Sequence, residues 1–356
     1  MKFKRKITPY LLITIAICTL HACKKSDTPT PTPTPVTPIE TIYTVGYERS
    51  PNGVGHYVAK YWKDTTAVNL TDGSTESEAR SITVLGNDVY VSGYETNASG
   101  LVLIAKYWKN GTGVALSTTD PSALGIANSI AVVGSDVYVA GSEVINGKSF
   151  ARYWKNGTGI NLQENAIAKS IVVSGTDVYI AGAQTGNPQG PTVYWKNGTA
   201  VNLSLESGST AYPASIALSG SDVYVSGTVY TGVNSKAAYW KNGSKITLST
   251  SSDGTGNGIA VSGTDVFVTG NINVASNRVG KYWKNGVEND LINPATTLSA
   301  RCLGIYTLNN NVYIAGDIET SVALKSMAAY WKNGKEVRLT NGERKAGANG
   351  IFVTIK

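Results

Sequence analysis

The chain is short of the residues from which most reactive centres are built. Its 356 residues hold three cysteines, Cys18, Cys23 and Cys302, and two histidines, His21 and His56. Beyond residue 23 only Cys302 and His56 remain, so no disulfide can close within that stretch and its stability has to come from packing. Cys302 reads as a small buried apolar residue. A zinc site needs several His, Cys or carboxylate ligands brought together, and a Ser-His-Asp triad would rest wholly on His56, within Gly53-Val54-Gly55-His56-Tyr57. No metal, no cofactor and no catalytic residue is expected.

Helix-length periodicity is also missing throughout. The apolar run from Tyr10 to Leu20 is too short to span a bilayer as a helix. Basic excess is modest. The formal charge of +7 includes Lys2, Lys4, Arg5 and Lys6; without those four, 27 Lys+Arg stand against 24 Asp+Glu, a net +3. Seven of the remaining cations are evenly spaced lysines, so no clustered basic face forms and no nucleic-acid partner is expected.

A basic start, a short apolar core and Leu20-His21-Ala22-Cys23 read as an export signal. The ending resembles the bacterial lipoprotein signal, in which cleavage falls just before a cysteine that then takes lipid. That resemblance implies a signal peptide over 1–22, lipidation at Cys23, export, and attachment to the bacterial outer membrane, with the cell surface as one destination. Residues 23–39 follow as a Thr/Pro-rich tether, in which Ser26 to Pro38 alternates proline with threonine. Proline at alternate positions blocks helix and ladder bonding and favours an extended chain, reaching roughly 35–40 Å at about 3.1 Å per residue.

The rest, 40–356, is repetitive. Tyr-Trp-Lys-Asn-Gly or a near copy begins at Tyr61, Tyr107, Tyr153, Tyr194, Tyr239, Tyr282 and Tyr330, at intervals of 41 to 48 residues. Asp-Val-Tyr-Val-x-Gly keeps step, beginning at Asp88, Asp136, Asp177, Asp222 and Asp265 (as Asp-Val-Phe in the last), with a sixth copy at Asn311. A fixed period of this length means one supersecondary unit copied about an axis. In the third unit Ser129–Val133, Val137–Gly141, Phe150–Trp154 and Gly159–Leu162 read as four strands, with Gly134-Ser135 and Asn156-Gly157 as turns. Such a meander has two apolar faces and needs a neighbour on each. The expected fold is all-β: a seven-bladed β-propeller with four antiparallel strands per blade. The strand order resembles the WD-repeat blade, although the Trp-Asp and Gly-His pairs are missing. The phrase Ala-x-Tyr-Trp-x-Asn-Gly followed by Leu also resembles bacterial extracellular repeats named for a His-Ala-Phe signature, itself absent here.

Circular closure is predicted from the two ends of the repeat array. Thr41–Gly46 matches a second strand with no first before it, and Ala348–Ile355 matches a first strand with no second after it. The C-terminal strand is therefore expected to join the N-terminal blade, as a closed ring requires and an open solenoid does not.

Chemistry should sit on the face with the variable connections, such as Ser142–Ser149, Ala183–Pro191, Thr228–Lys236 and Asp317–Ser326. Two residues after the repeated glycine stand Glu48, Glu95 and Glu143. The equivalent positions on the inner strand hold Arg80, Asn128, Lys169, Ala214, Asn257, Leu303 and Asn349. These glutamates, with Arg80, Lys169, Tyr47 and Tyr94, are the candidate ligand-binding set; Tyr212 and Tyr230 are further aromatic candidates. Glu48 and Glu95 are the nominated pair should the domain hydrolyse a glycan, since a glycosidase needs two carboxylates at a set spacing. The seven Tyr-Trp pairs read as filler between blades, and the repeat lysines as partners of the turn aspartates on the constant face. Asp253–Gly258 reads as an interblade loop. The functional expectation is a monomeric, membrane-tethered binding or scaffold domain for a glycan, peptide or protein of the envelope. A carbohydrate-active enzyme is the alternative.

Overall fold

Each repeat becomes four antiparallel strands because Val, Ile, Tyr and Trp alternate between tight turns that carry Gly and Asn. In the computed structural model, residues 39–51, 55–116, 124–184, 192–248, 253–274, 277–291, 298–321 and 325–355 are described. The expected signal, Cys23 and nearly all of the tether lie outside them. The chain from Ile39 onward is one compact unit.

Blade 1 holds β1 (Glu40–Arg49), β2 (Tyr57–Lys63) and β3 (Thr66–Asn69). Blade 2 holds β4 (Ser77–Leu85), β5 (Asp88–Thr96), β6 (Leu103–Lys109) and β7 (Thr112–Ala115). Blade 3 holds β8 (Gly125–Val133), β9 (Asp136–Ile145), β10 (Lys148–Lys155) and β11 (Thr158–Glu164). Blade 4 continues with β12 (Ala166–Ser174), β13 (Asp177–Gln184), β14 (Val193–Lys196) and β15 (Thr199–Asn202). Blade 5 has β16 (Ser209–Ser219), β17 (Asp222–Thr231), β18 (Asn234–Lys241) and β19 (Ser244–Thr247). Blade 6 has β20 (Gly254–Ser262), β21 (Asp265–Val274), β22 (Asn277–Lys284) and β23 (Val287–Asp290). Blade 7 has β24 (Ser299–Leu308), β25 (Asn311–Glu319), β26 (Met327–Lys332) and β27 (Lys335–Arg338).

The remaining strand, β28 (Ala346–Ile355), completes blade 1 in the order β28-β1-β2-β3, pairing Glu40 with Ile355 and Glu48 with Ala346. Neighbouring innermost strands touch all the way round, from β4 through β8, β12, β16, β20 and β24 to β28 and back to β4. The protein is a seven-bladed β-propeller, closed by its C-terminal strand.

Both repeated phrases have a physical reason. The asparagine of Lys-Asn-Gly sits at φ near 50°, a left-handed turn position that Asn tolerates. In blade 3, Asn156 Oδ1 accepts from Val137 N at 2.9 Å, while its Nδ2 donates to Asp136 Oδ1 at 2.8 Å. Lys155 completes the knot, 2.9 Å from Asp136. The same arrangement recurs at Asp88, Asp177, Asp222 and Asp265. In blade 1, Asp64 stands in for the asparagine and accepts from Ile42 N. In blade 7, Lys332 reaches Glu40 of blade 1 at 2.5 Å, a charged contact across the closing joint.

All seven repeat tryptophans are at most 2% exposed. Trp108 of blade 2 packs with Tyr43, Val45 and Ala59 of blade 1, and Trp154 of blade 3 with Tyr90 and Ala105 of blade 2. Each Trp thus fills the wedge between twisted sheets, where a large rigid ring buries the most area.

Three local expectations are corrected. Ser142–Ser149 is not a long connection: β9 and β10 run on to a tight Asn146-Gly147 turn with both residues at positive φ. Nor is Thr228–Lys236, where β17 and β18 run on to Thr231 and Asn234 and leave only Gly232-Val233 between them. Asp253–Gly258 is not an interblade loop either, since Gly254–Gly258 opens the innermost strand β20.

Candidate functional site

Every innermost strand carries a β-bulge at the same place. The register with the second strand slips between Ala79 and Ser81, Ala127 and Ser129, Ala168 and Ser170, Pro213 and Ser215, Gly256 and Ile259, Cys302 and Gly304, and opposite Val45/Gly46 in blade 1. A bulge leaves one residue out of the ladder and re-aims its side chain. The residues left over are Arg80, Asn128, Lys169, Ala214, Asn257, Leu303 and Asn349, one per blade (in blade 6 the slip also takes in Gly258). All seven line a cavity of about 560 Å³ at the axis, a size that suits a small ligand.

The repeated glycine of the second strand makes the bulge possible. A Cβ on Gly141 would lie 2.0 Å from Ile126 O, and one on Gly270 would lie 1.8 Å from Thr255 O. No side chain fits such an approach.

The ring is lopsided. Asparagines at three bulges latch the next blade: Asn128 Nδ2 donates to Ala168 O at 2.8 Å, Asn257 to Cys302 O at 2.6 Å and Asn349 to Ala79 O at 2.9 Å. Arg80 reaches Asn128 Oδ1 at 3.1 Å and Glu78 at 3.2 Å. Lys169 makes no ion pair among the described residues. Lys169 stands exposed in the channel, and partial desolvation there, with the nearby positive charge of Arg80, lowers its pKa below the usual lysine value.

The next residue along, beyond each bulge, is Ser81, Ser129, Ser170 and Ser215 in blades 2 to 5. In blades 6, 7 and 1 it is glycine: Gly258, Gly304 and Gly350. Ser81, Ser129 and Ser170 accept from the backbone N–H of Ile130, Ile171 and Ile216 at 3.2–3.4 Å. On the mouth side, Tyr212 is 44% exposed and meets Tyr230 edge-on, with ring centroids 5.4 Å apart.

Of the sequence-predicted set, Arg80 and Lys169 line the cavity, as do Tyr212 and Tyr230. Tyr94 stands behind Arg80, its ring 5.5 Å from the guanidinium and its hydroxyl donating to Glu78 at 3.2 Å. Burial and the Glu78 charge push its pKa up. Tyr47 is 8% exposed, its ring 4.7 Å from that of Tyr57 and tilted 50° to it, and it lies over Gly347, where an added Cβ would meet its hydroxyl at 2.9 Å.

Glu48, Glu95 and Glu143 are not at the channel. Glu48 is bound by Lys60 at 2.6 Å and Arg344 at 3.1 Å, Glu95 by Lys106 at 2.5 Å, and buried Glu143 by Arg152. At these positions the second-strand side chains face a neighbouring blade; the cavity lining comes from the innermost strands, joined by Thr228 and Tyr230 of β17. Glu95 lines a separate polar crevice between blades 1 and 2, with Lys106, Asp72 and Asn97. His56 Nδ1 lies 3.1 Å from Ser74 O.

Glu78 and the serine arc are absent from the sequence-derived set. Their signal is positional: each lies two residues before, or one after, a bulge. Among the described residues no group of three or more metal-ligating side chains occurs.

No protein-family model and no curated protein matches this chain. Among solved structures, a chain from the nidogen/laminin complex is similar at 9% identity and a TM-score of 0.42, covering 88% of this chain and 98% of that one. The Pyrococcus horikoshii acylaminoacyl peptidase is similar at 11% identity and a TM-score of 0.40, covering 79% of this chain and 49% of that one.

Proposed function

We propose that this propeller is a non-catalytic binding module, held at a bacterial envelope by lipid on Cys23, that takes its ligand at the variable-loop mouth of the central channel. One observation carries the reading. Seven bulges turn seven side chains to the axis, and four of them, Arg80, Lys169, Ala214 and Leu303, depart from the latching asparagine of the other three while the glycines, tryptophans and turn clamps around them repeat. A packing role would be met by the same residue seven times, as Trp shows. The bound partner is an envelope glycan, peptide or protein, and the propeller acts as a monomer.

A hydrolase using Glu48 and Glu95 is the weaker reading. Each carboxylate is held in its own ion pair, away from the channel cavity. Replacing both by Gln should leave binding intact.

Two measurements test the proposal. Cys23→Ser should move the protein from the membrane fraction to the soluble one; unchanged fractionation removes the anchor. The released Cys23→Ser protein, screened on glycan and envelope-protein arrays, should yield a binder that Arg80→Ala or Tyr212→Ala loses. A binder indifferent to both would place the site elsewhere.

A further inference from the structure

Resting on that reading, we infer that the arc of blades 2 to 5 at the channel mouth is a site for an acidic sugar, with Arg80 and Lys169 holding its carboxylate and Tyr212 offering a face to its ring.

Charge balance comes first. The cavity is lined by two cations, Arg80 and Lys169, and one carboxylate, Glu78. That carboxylate is already engaged: it accepts from Arg80 at 3.2 Å, from Tyr94 at 3.2 Å and from Asn349 at 2.9 Å. The nearby Arg301–Asp317 pair, 2.8 Å apart, is neutral as a unit. Lys169 is left as the surplus charge, with no carboxylate partner among the described residues. Lys169 is exposed at the cavity wall, so an anion entering the mouth can reach its ammonium directly, with the Arg80 charge beside it.

The fold does not need this lysine. Blades 5 and 7 close with Ala214 and Leu303 at the same bulge, so neither a latch nor a charge is required for closure. Where the ring does use a latch, it uses asparagine. Lys169 has no ion-pair partner among the described residues and stands exposed where an entering ligand would meet it.

The rest of the arc supplies donors. Ser81, Ser129 and Ser170 accept from backbone N–H groups through their oxygens, which leaves each hydroxyl hydrogen to donate. Three hydroxyl donors beside two cations suit an acceptor-rich anion. Blades 6, 7 and 1 carry glycine at the serine position. A Cβ on Gly258 would lie 2.7 Å from Leu303 O and one on Gly304 would lie 2.8 Å from Gly350 Cα, so those positions are shut by close backbone approach.

Tyr212 follows Lys169 in the ring, one blade on. It is the exposed aromatic of the mouth, braced at its edge by Tyr230. A rigid ring with one open face is a stacking surface for a sugar, and a bare inorganic anion has no use for it. The cavity of about 560 Å³ accommodates one or two sugar units.

The test titrates the full-length Cys23→Ser protein by calorimetry with a uronic-acid disaccharide, its neutral counterpart and inorganic phosphate. The uronate should bind at least about tenfold tighter than the neutral sugar, weakening as salt rises. Lys169→Gln should remove that advantage, Lys169→Arg should keep it, and Tyr212→Ala should weaken the uronate without creating phosphate binding. Thermal melts of each variant establish that it is folded. Equal binding of acidic and neutral sugars, indifferent to Lys169→Gln but lost in Tyr212→Ala, overturns the acidic-sugar assignment and leaves the mouth as the binding site. Phosphate binding as tightly as the uronate overturns the sugar component. No binding of any probe, with an array ligand indifferent to Lys169 and Tyr212, overturns both readings.

Discussion

Gly141 stands so close to Ile126 that a Cβ on it would lie 2.0 Å from the Ile126 carbonyl oxygen. The contact seats the bulge that aims Asn128 at the axis. Gly141→Ala should therefore destabilise the protein by about 1–3 kcal/mol or more, because backbone has to move. Gly157→Ala is the control: its φ of +83° carries strain, but the added Cβ would meet nothing within 4 Å, so about 1 kcal/mol is expected. Urea unfolding of the two variants checks the difference, and equal losses would remove the close-approach explanation.

Closure by β28 makes a second prediction. Deleting residues 346–355 exposes the long edge of β1 and uncovers Ile42 and Trp62, which pack with Ile351 and Val353. The truncated protein should lose its single cooperative transition and become sensitive to proteases. An unaltered melt would show that the joint contributes nothing to stability.

The turn clamps predict an acid response. Hydrogen bonds from Asn156 and Lys155 hold Asp136 below its ordinary value of 3.8, and Asp88, Asp177, Asp222 and Asp265 are lowered in the same way. A depressed folded pKa means stability that is fully present above the unfolded value near 3.8 and lost as pH falls through the lower folded values. Asp136→Asn should thus lower the melting temperature at pH 7 and narrow the gap from wild type at pH 2. A constant gap across that range would show that the clamp is not ionic.

Cys302 is fully buried, and burial pushes its thiol pKa up. The thiolate is the reactive form. Labelling by a thiol reagent in the native protein carrying Cys18→Ser and Cys23→Ser should therefore be slow, rising only with global unfolding. Rapid labelling at low denaturant would mean that blade 7 opens locally.

Fold and closure are legible in the sequence because the turn chemistry repeats: Asp-Val and Lys-Asn-Gly mark the same hairpin ends in blade after blade. The bulge is legible only in part. Arg80, Asn128 and Lys169 fall at one register on alignment, but an inserted residue breaks the period of two that announces a strand. Hence β8 reads as starting at Ser129 when it starts at Gly125. Glu48, Glu95 and Glu143 are misplaced because an offset from glycine does not say which neighbouring blade a side chain meets. Asp253–Gly258 misleads for a different reason. Its glycines look like loop chemistry, yet a Cβ on Gly256 would lie 2.5 Å from Gly227 O, so they are demanded by crowding.

Pairing Glu40 with Ile355 also sets a timetable. A nascent chain makes β1 first among the blade strands and then waits through six further blades before its partner is synthesised. Throughout that interval one flank of the first sheet has unsatisfied amides and carbonyls, open to capture by another molecule. Swapping of β28 between two copies is the misassembly this molecule has to outrun, and dilution during refolding should favour the closed monomer.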